Sequence, residues 1–219
     1  MLAKGSFSCF GGMLLFAAVT GYFYFSNTFS GIISIMFFIL FIIGACLTLF
    51  FFIFFRDPER SPPGDGEDAV SPADGRVISI RDRTICIFMN IHDVHVNRAP
   101  LAGTVMHIDY KPGGYIPAFN KDSDVNERNH VVINTGTGIL ELTQIAGILT
   151  RRIVSYISVG SSVKRGERIG MIRFGSRVDV ILQKGYEFTV RVNDKVKAGE
   201  TIIAMRKDPV KDPVFKYGD

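Results

Sequence analysis

Cysteine is scarce in this chain of 219 residues, and the positions of its three cysteines exclude a disulfide framework. Cys9 and Cys46 lie inside long apolar stretches, which leaves Cys86 as the one cysteine outside them. A reducing compartment is therefore expected. The metal-binding patterns HExxH and CxxC are absent as well, so a zinc site would have to use His92 and His95 without a further ligand pattern.

A stripe of basic residues interleaved with aromatic residues is also missing. The formal net charge is only +4 at pH 7, and part of it lies next to the apolar stretches. Nucleic acid is therefore not an expected partner, whereas the membrane surface, with its anionic lipids, is one.

Charge of either sign is absent from two long stretches, Phe7–Phe25 and Gly31–Phe55. Each is close to or above the roughly 20 residues that cross a bilayer as a helix, and a short polar turn joins them. This pattern predicts a transmembrane helical hairpin with both ends on one side. Lys4 precedes the hairpin, and Arg56 and Arg60 follow it, so the positive-inside tendency places the rest of the chain in the cytoplasm.

Two alternatives to a spanning hairpin remain open. A cleaved signal peptide is disfavoured because no convincing small-residue cleavage site follows the first stretch, and a second stretch comes at once. A hairpin that only dips into the membrane is the stronger alternative. The expected organisation is a membrane-embedded hairpin over residues 1–55, an irregular connector rich in Pro and Gly over 56–69, and one domain over 70–219.

Alternating apolar runs predict that this domain is mainly β, in the α+β class when the helical hairpin is included. The runs are Val77–Ile80, Ile85–Asn90, His130–Asn134 and Ile139–Ala146.

An internal repeat occupies the last third of the domain. Ser162–Arg173, which reads SVKRGERIGMIR, matches Lys195–Arg206, which reads KVKAGETIIAMR. Such repeats are units of architecture. They predict two interlocked β-hairpin halves in a β-sandwich like the barrel-sandwich hybrid of biotinyl and lipoyl carrier domains. A membrane-tethered carrier or interaction module is therefore an alternative function, with Lys195 as its candidate modified residue.

The dipeptide Gly175-Ser176 lies between two apolar runs, as expected for a kink inside a sheet. A serine hydroxyl becomes a nucleophile when a base takes its proton, and a preceding glycine leaves the carbonyl before it open to attack. By itself the dipeptide is weak evidence, because Gly-Ser is most often an ordinary turn. A second pair, Gly160-Ser161, ranks well below it as a cleavage site, because it lies at the start of the repeat, where a plain turn is expected.

Three further polar residues are candidates for chemistry. His92 and His95 lie three positions apart, with Asp93 between them, and this spacing suits catalysis, a zinc pair, or histidines with purely structural roles. Asp74 lies in a Pro-Ala-Asp-Gly turn signal. It is either a carboxylate that caps its own turn or a buried carboxylate that orients another side chain.

Four motifs, taken together and in this order, resemble the phosphatidylserine decarboxylase family. They are FFRDPER at Phe54–Arg60, SPADG at Ser71–Gly75, HDVHVNRAP at His92–Pro100 and GMIRFGSRVDV at Gly170–Val180. The resemblance extends from Phe54 to about Gly185, and it is to the short, membrane-hairpin branch of bacteria and archaea. Longer members carry Leu-Gly-Ser-Thr at the cleavage motif, where this chain has the Phe-Gly-Ser-Arg form of the short branch.

The resemblance implies a proenzyme that cleaves itself with an Asp, His and Ser triad, which corresponds to Asp74, His95 and Ser176. His95 would take the proton of Ser176, and Asp74 would fix the imidazole tautomer. The Ser176 hydroxyl would then attack the Gly175 carbonyl. The expected products are a β chain of residues 1–175 and an α chain of residues 176–219 that begins with a pyruvoyl group derived from Ser176.

The resemblance also implies a substrate and a reaction. The pyruvoyl group would form a Schiff base with the serine amine of phosphatidylserine or archaetidylserine, CO₂ would leave, and His92 would return a proton to the lipid. No metal is implied. The expected location is the cell membrane, where hairpin and connector would keep the cytoplasmic domain at the headgroup plane. Family members often dimerise, so a homodimer is an open expectation.

Overall fold

The computed structural model describes residues 1–64, 66–114, 126–147, 153–173 and 176–207. The chain divides into two compact units. The first carries the helices and the second carries the strands, and their bounds are Met1–Glu59 and Arg60–Asp219.

The first unit is a helical hairpin of α1 (Phe7–Phe25) and α2 (Ile32–Phe54), each long and apolar enough to cross a membrane. Small residues let the two helices approach closely. A Cβ added to Gly21 or to Gly44 would lie 2.9 Å from an aromatic ring of the opposite helix. Many large apolar side chains are exposed on both helices, which is consistent with membrane association.

The second unit is built from strands rich in β-branched residues, as the alternating runs predicted. In chain order the described strands are β1 (Ala69–Val70), β2 (Gly75–Arg81), β3 (Thr84–Met89), β4 (Val96–Arg98), β5 (Gly103–Lys111), β6 (Arg128–Asn134), β7 (Ile139–Ala146), β8 (Ile153–Ser155), β9 (Ser162–Val163), β10 (Arg168–Ile172), β11 (Ser176–Ile181), β12 (Tyr186–Phe188), β13 (Lys195–Val196) and β14 (Ile202–Arg206).

Within the described residues, eight strands form one curled antiparallel sheet in the order β13-β2-β3-β11-β7-β6-β5-β9. Two three-stranded sheets have the orders β1-β14-β12 and β4-β10-β8. The inward side chains of the strands form an apolar core, which includes Ile85, Ile87, Leu140, Leu142, Val178 and Val180. The predicted fold class, a mainly β domain preceded by a helical hairpin, is confirmed.

The individual strand predictions differ from the structure only at their ends. β7 has the predicted bounds, whereas β6 begins at Arg128 rather than His130. Arg128 and Asn129 extend the strand because both pair with β5 on one side and β7 on the other. The pattern of alternating apolar residues could not predict this extension, because both added residues are polar.

The two copies of the repeat occupy equivalent places in the fold. Their first strands, β9 and β13, lie at opposite edges of the large sheet, and their second strands, β10 and β14, are each the middle strand of a small sheet. The turn of each copy makes an equivalent backbone hydrogen bond of 2.8 Å, from Gly166 to Ala99 in the first copy and from Gly199 to Ser71 in the second. These equivalences agree with the prediction of two interlocked halves.

Gly75, at the start of β2, leaves no room for a side chain. A Cβ added there would lie 2.1 Å from the carbonyl oxygen of Phe88, and the backbone φ is +146°. We expect Gly75→Ala to reduce the free energy of unfolding by about 3 kcal/mol or more, because the contact is with the backbone of a paired strand. Thermal melting of the full chain in detergent measures the loss.

Gly136 provides the matched control for this prediction. Its φ is also positive, at +80°, but no atom of the described residues lies within 4 Å of an added Cβ. Gly136→Ala should therefore reduce the free energy of unfolding by only about 1–2 kcal/mol, the usual effect of a left-handed backbone. Equal losses at the two positions would contradict the close contact at Gly75.

Candidate active site

Ser176 opens β11 and is 0 % exposed. In the large sheet it lies opposite Met89 on β3 and Ala146 on β7. Its hydroxyl oxygen is buried and has no hydrogen-bond partner among the described residues. Buried hydroxyl groups are nearly always hydrogen-bonded, so this one calls for a functional explanation.

His95 immediately precedes β4 and is 1 % exposed. Its carbonyl oxygen accepts a 3.1 Å hydrogen bond from the N–H of Ile172, the last residue of β10. Since only residues 173–175 separate Ile172 from Ser176, the fold brings the histidine and serine segments together. Nδ1 of His95 lies 2.9 Å from the carbonyl oxygen of Asp93. A carbonyl can only accept, so Nδ1 carries the hydrogen and the buried Nε2 is the atom that can take up a proton.

Asp74 is held by an ion pair that was not predicted from the sequence. The Arg60 guanidinium donates to both carboxylate oxygens, with Nη2 lying 2.9 Å from Oδ2. The N–H of Ala198 also donates to Oδ1, at 2.8 Å. The Arg60 and Asp74 side chains are only 6 % and 11 % exposed. Because the carbonyl of Asp93 binds Nδ1 of His95, the orienting role of Asp74 toward that histidine stays a prediction.

Asp74 lies at the same end of the large sheet as Ser176. A Cβ added to the next residue, Gly75, would lie 3.2 Å from Cα of Met89, which shows how closely the segment packs on β3. Met89 is in turn the cross-strand neighbour of Ser176. Asp74 and Ser176 therefore belong to one region of the fold, although they are far apart in the sequence.

His92 differs from His95 in its exposure. Its side chain is 75 % exposed, and its Nε2 lies 3.7 Å from Oδ1 of Asp93. Asp93 closes the turn, because its Oδ2 accepts a 2.7 Å hydrogen bond from the N–H of Asn90. The segment therefore presents one histidine to a molecule arriving from outside and keeps the other in the interior.

A chain of buried amide side chains beside Ser176 was not predicted. Nδ2 of Asn97 donates to Sδ of Met89 at 3.6 Å, and Nε2 of Gln144 donates to Oδ1 of Asn97 at 2.8 Å. Nδ2 of Asn129 donates to Oε1 of Gln144 at 3.0 Å. All three amides are buried, so this row of hydrogen-bonded side chains fixes the surroundings of the Met89 side chain. Its only signal in the sequence is that Asn129 and Gln144 occupy inward positions of apolar strands.

The serines of the two Gly-Ser pairs have different environments. Gly175, the expected site of cleavage, lies outside the described residues. The N–H of Gly160 donates to the carbonyl oxygen of Val105 at 2.8 Å, and Oγ of Ser161 accepts a hydrogen bond from the N–H of Ser158 at 3.1 Å. The hydroxyl of Ser161 is therefore engaged in a surface turn, unlike that of Ser176.

The remaining sequence candidates form no second site within the part of the chain that the structure describes. The described residues contain no group of three or more His, Cys, Asp or Glu side chains that could hold a metal ion. Burial and the neighbouring Asp179 raise the pKa of the Cys86 thiol to about 12, so this thiol stays protonated at neutral pH. Lys195, the carrier candidate, lies within β13, where it pairs with Arg76 rather than standing at the tip of a turn.

Known proteins resemble the chain over most of its length. A sequence profile for the family described as phosphatidylserine decarboxylase matches residues 47–204. A protein of Methanococcoides burtonii, provisionally named archaetidylserine decarboxylase proenzyme, is 46 % identical over 208 residues, which cover 95 % of this chain and 98 % of that protein. A protein of Methanosarcina acetivorans with the same provisional name is 55 % identical over 165 residues, covering 75 % and 79 %. The phosphatidylserine decarboxylase proenzyme of Streptomyces griseus is 52 % identical over 155 residues, covering 68 % and 71 %.

These matches show that the chain is a decarboxylase, an enzyme of the carboxy-lyase class. The chain belongs to the phosphatidylserine decarboxylase family. The assignment made from its four sequence motifs is therefore confirmed.

Proposed function

We propose that the chain is a proenzyme that cleaves itself between Gly175 and Ser176 and then decarboxylates the serine headgroup of a membrane lipid. The observation that carries the proposal is the hydroxyl of Ser176, which is buried without a hydrogen-bond partner among the described residues. The word proenzyme in the names of the relatives supports self-processing.

His95 starts the cleavage as a base. Its Nε2 takes the proton of the Ser176 hydroxyl, because the Asp93 carbonyl holds the hydrogen on Nδ1. Oγ bonds to the Gly175 carbonyl carbon, the peptide C–N bond breaks, and the proton passes to the leaving amine. The peptide bond has then become an ester, and no oxidant or reductant is needed.

The second stage converts residue 176 into a ketone. Loss of its Cα proton and cleavage of its Cβ–Oγ bond release the Gly175 carboxylate and leave dehydroalanine. One water molecule then replaces the nitrogen, which departs as ammonia, and a pyruvoyl group remains. The buried environment of Ser176 fits such a group, because the hydroxyl that is consumed makes no hydrogen bond that the fold would lose.

The pyruvoyl carbonyl supplies an electron sink for the loss of CO₂ from the serine carboxylate. The residue that we assign to proton return is His92, since its side chain is exposed at the turn that leads into His95. Histidine is the side chain that most often transfers protons in general acid–base catalysis. His95 and His92 thus serve different stages of one pathway.

The two fragments should remain associated after cleavage. β11 begins at Ser176, and it is paired along its length with β3 and with β7, both of which belong to residues 1–175. Separation would break the central ladder of the large sheet and expose its core. The mature enzyme is therefore a non-covalent complex of the β and α chains.

The substrate class that we propose is a serine lipid, either phosphatidylserine or archaetidylserine. The names of the relatives point to both. The apolar hairpin supports catalysis at the membrane, and the basic residues beside it favour a cytoplasmic location for the catalytic unit. A lipid with two long chains leaves a bilayer only at great cost, so a tethered enzyme has access that a free one lacks.

The test uses the purified full chain with vesicles that contain phosphatidylserine, archaetidylserine, or neither. We expect release of CO₂ and formation of the matching ethanolamine lipid from at least one serine lipid, as measured by gas trapping and lipid mass spectrometry. Vesicles of phosphatidylcholine alone should give no product. Failure of a fully cleaved preparation to convert either serine lipid would contradict the proposed reaction.

A further inference from the structure

We infer that Arg60 is a positioning residue for self-cleavage, because it clamps the carboxylate of Asp74. The inference rests on the proposed function and on the triad implied by the family resemblance, in which Asp74 supports His95. In the sequence Arg60 is a charge beside the apolar stretches and the last residue of the FFRDPER motif. In the structure it lies in the interior of the second unit, bound to Asp74.

The clamp closes on the backbone of a single residue, Ala198. Arg60 donates to both oxygens of Asp74, and its Nη1 donates in addition to the carbonyl oxygen of Ala198 at 2.8 Å. The N–H of Ala198 donates to Oδ1 of Asp74. A planar guanidinium that binds both oxygens of a carboxylate fixes the rotation of that group as well as its position. Asp74 is thereby held in one orientation.

Arg60 also supplies the counter-charge that allows a carboxylate to be buried at this point. The next acidic group, Glu200, places its Oε1 3.9 Å from Nε of Arg60. Without Arg60, Asp74 would keep the Ala198 N–H but would lose the guanidinium that neutralises its charge. A buried charge that loses its partner is strongly unfavourable, so the carboxylate would leave its present orientation.

The clamp joins the two products of cleavage. Arg60 and Asp74 belong to residues 1–175, whereas Ala198 belongs to residues 176–219 and lies in the turn of the second repeat. The region that becomes the α chain thus helps to align Asp74 before the chain is cut. This arrangement couples completion of the fold to the start of cleavage.

The test measures the rate of cleavage during cell-free synthesis of the full chain into detergent or lipid discs, with denaturing gels as the readout. We expect Arg60→Ala to slow cleavage by about 10²-fold or more, as misplacement of a catalytic group does. Guanidinium chloride, well below denaturing concentrations, should restore part of the rate, since the ion can occupy the site of the lost side chain. Ammonium chloride at equal ionic strength should not.

Arg165→Ala is the matched control. Arg165 lies in the same unit and donates to the backbone carbonyls of Asp68 and Pro63, each at 2.6 Å. Its removal should change the cleavage rate by less than about twofold and should create no response to guanidinium. Arg60→Lys keeps the charge but loses the contact with both carboxylate oxygens, so it should cleave at an intermediate rate. This variant tests the inference if Arg60→Ala fails to fold.

The outcomes separate this inference from the proposed function. If Asp74→Asn stops cleavage while Arg60→Ala and Arg60→Lys cleave at the parental rate, the clamp is unnecessary and the inference is wrong. Slow cleavage of a folded Arg60→Ala protein that guanidinium does not improve would also overturn it. If Asp74→Asn itself cleaves normally, the failure lies in the role proposed for Asp74.

Discussion

Ser176→Ala should leave the chain in one piece and without decarboxylase activity. The substitution removes the oxygen that attacks the Gly175 carbonyl, so neither the ester nor the pyruvoyl group can form. Denaturing gels and intact mass measurement should show only full-length protein, where the parent chain gives fragments 1–175 and 176–219. Release of CO₂ from serine lipids should fall by at least about 10³-fold, because both stages depend on this one residue.

The fold should tolerate this change, since the lost hydroxyl makes no hydrogen bond among the described residues. A melting temperature close to that of the parent would therefore exclude unfolding as the cause. Ser161→Ala is the matched control, because Ser161 also follows a glycine but has a hydroxyl bound within a surface turn. It should be cleaved normally. Fragments from Ser176→Ala with ends at 175 and 176 would refute the proposed chemistry.

The architecture of the second unit was largely predictable, because it depends on local patterns. Alternation of apolar residues marks strands that are buried on one face, and β7 was predicted at its full length. The internal repeat gave the interlocked arrangement, since equivalent turns and strands take equivalent places. The order of strands in the large sheet was not predictable, because β11 inserts between β3 and β7 through pairings distant in sequence.

The site was predictable only as a set of residue types. Motifs in the sequence made Ser176, His95, Asp74 and His92 candidates, but they could not reveal which polar groups contact these side chains. The acceptor at Nδ1 of His95 is a backbone carbonyl, which every residue possesses and which carries no sequence signal. The partner of Asp74 is Arg60, the last residue of the FFRDPER motif in the predicted irregular connector, and neither the motif nor the connector indicates which side chain it binds.

The two histidines differ in solvent exposure, a difference that their spacing in the sequence could not show. Both lie in one short segment, and a zinc pair, a packed pair or a catalytic pair would each fit that spacing. The structure buries His95 behind the turn closed by Asp93 and leaves the side chain of His92 at the surface. Such a difference suits one group that acts on the chain itself and another that acts on an incoming lipid.

His92→Ala should therefore separate cleavage from decarboxylation. We expect this variant to be cleaved at the parental rate, because His92 takes no part in the attack of Ser176 on Gly175. Its release of CO₂ should be lower by about 10²–10⁴-fold, the usual contribution of a general acid. Gels give the first quantity, and gas trapping with phosphatidylserine or archaetidylserine vesicles gives the second. Since the side chain is exposed, added imidazole should recover part of the activity.

His95→Ala should leave the chain uncleaved, because loss of the base leaves the Ser176 proton in place. It should therefore also release no CO₂, since no pyruvoyl group forms. His107→Ala is the matched control, since it removes another exposed histidine, on β5, and should alter neither quantity. Uncleaved His92→Ala protein would assign His92 to the first stage. A cleaved His92→Ala protein with parental activity would show instead that a different group, or water, returns the proton to the lipid.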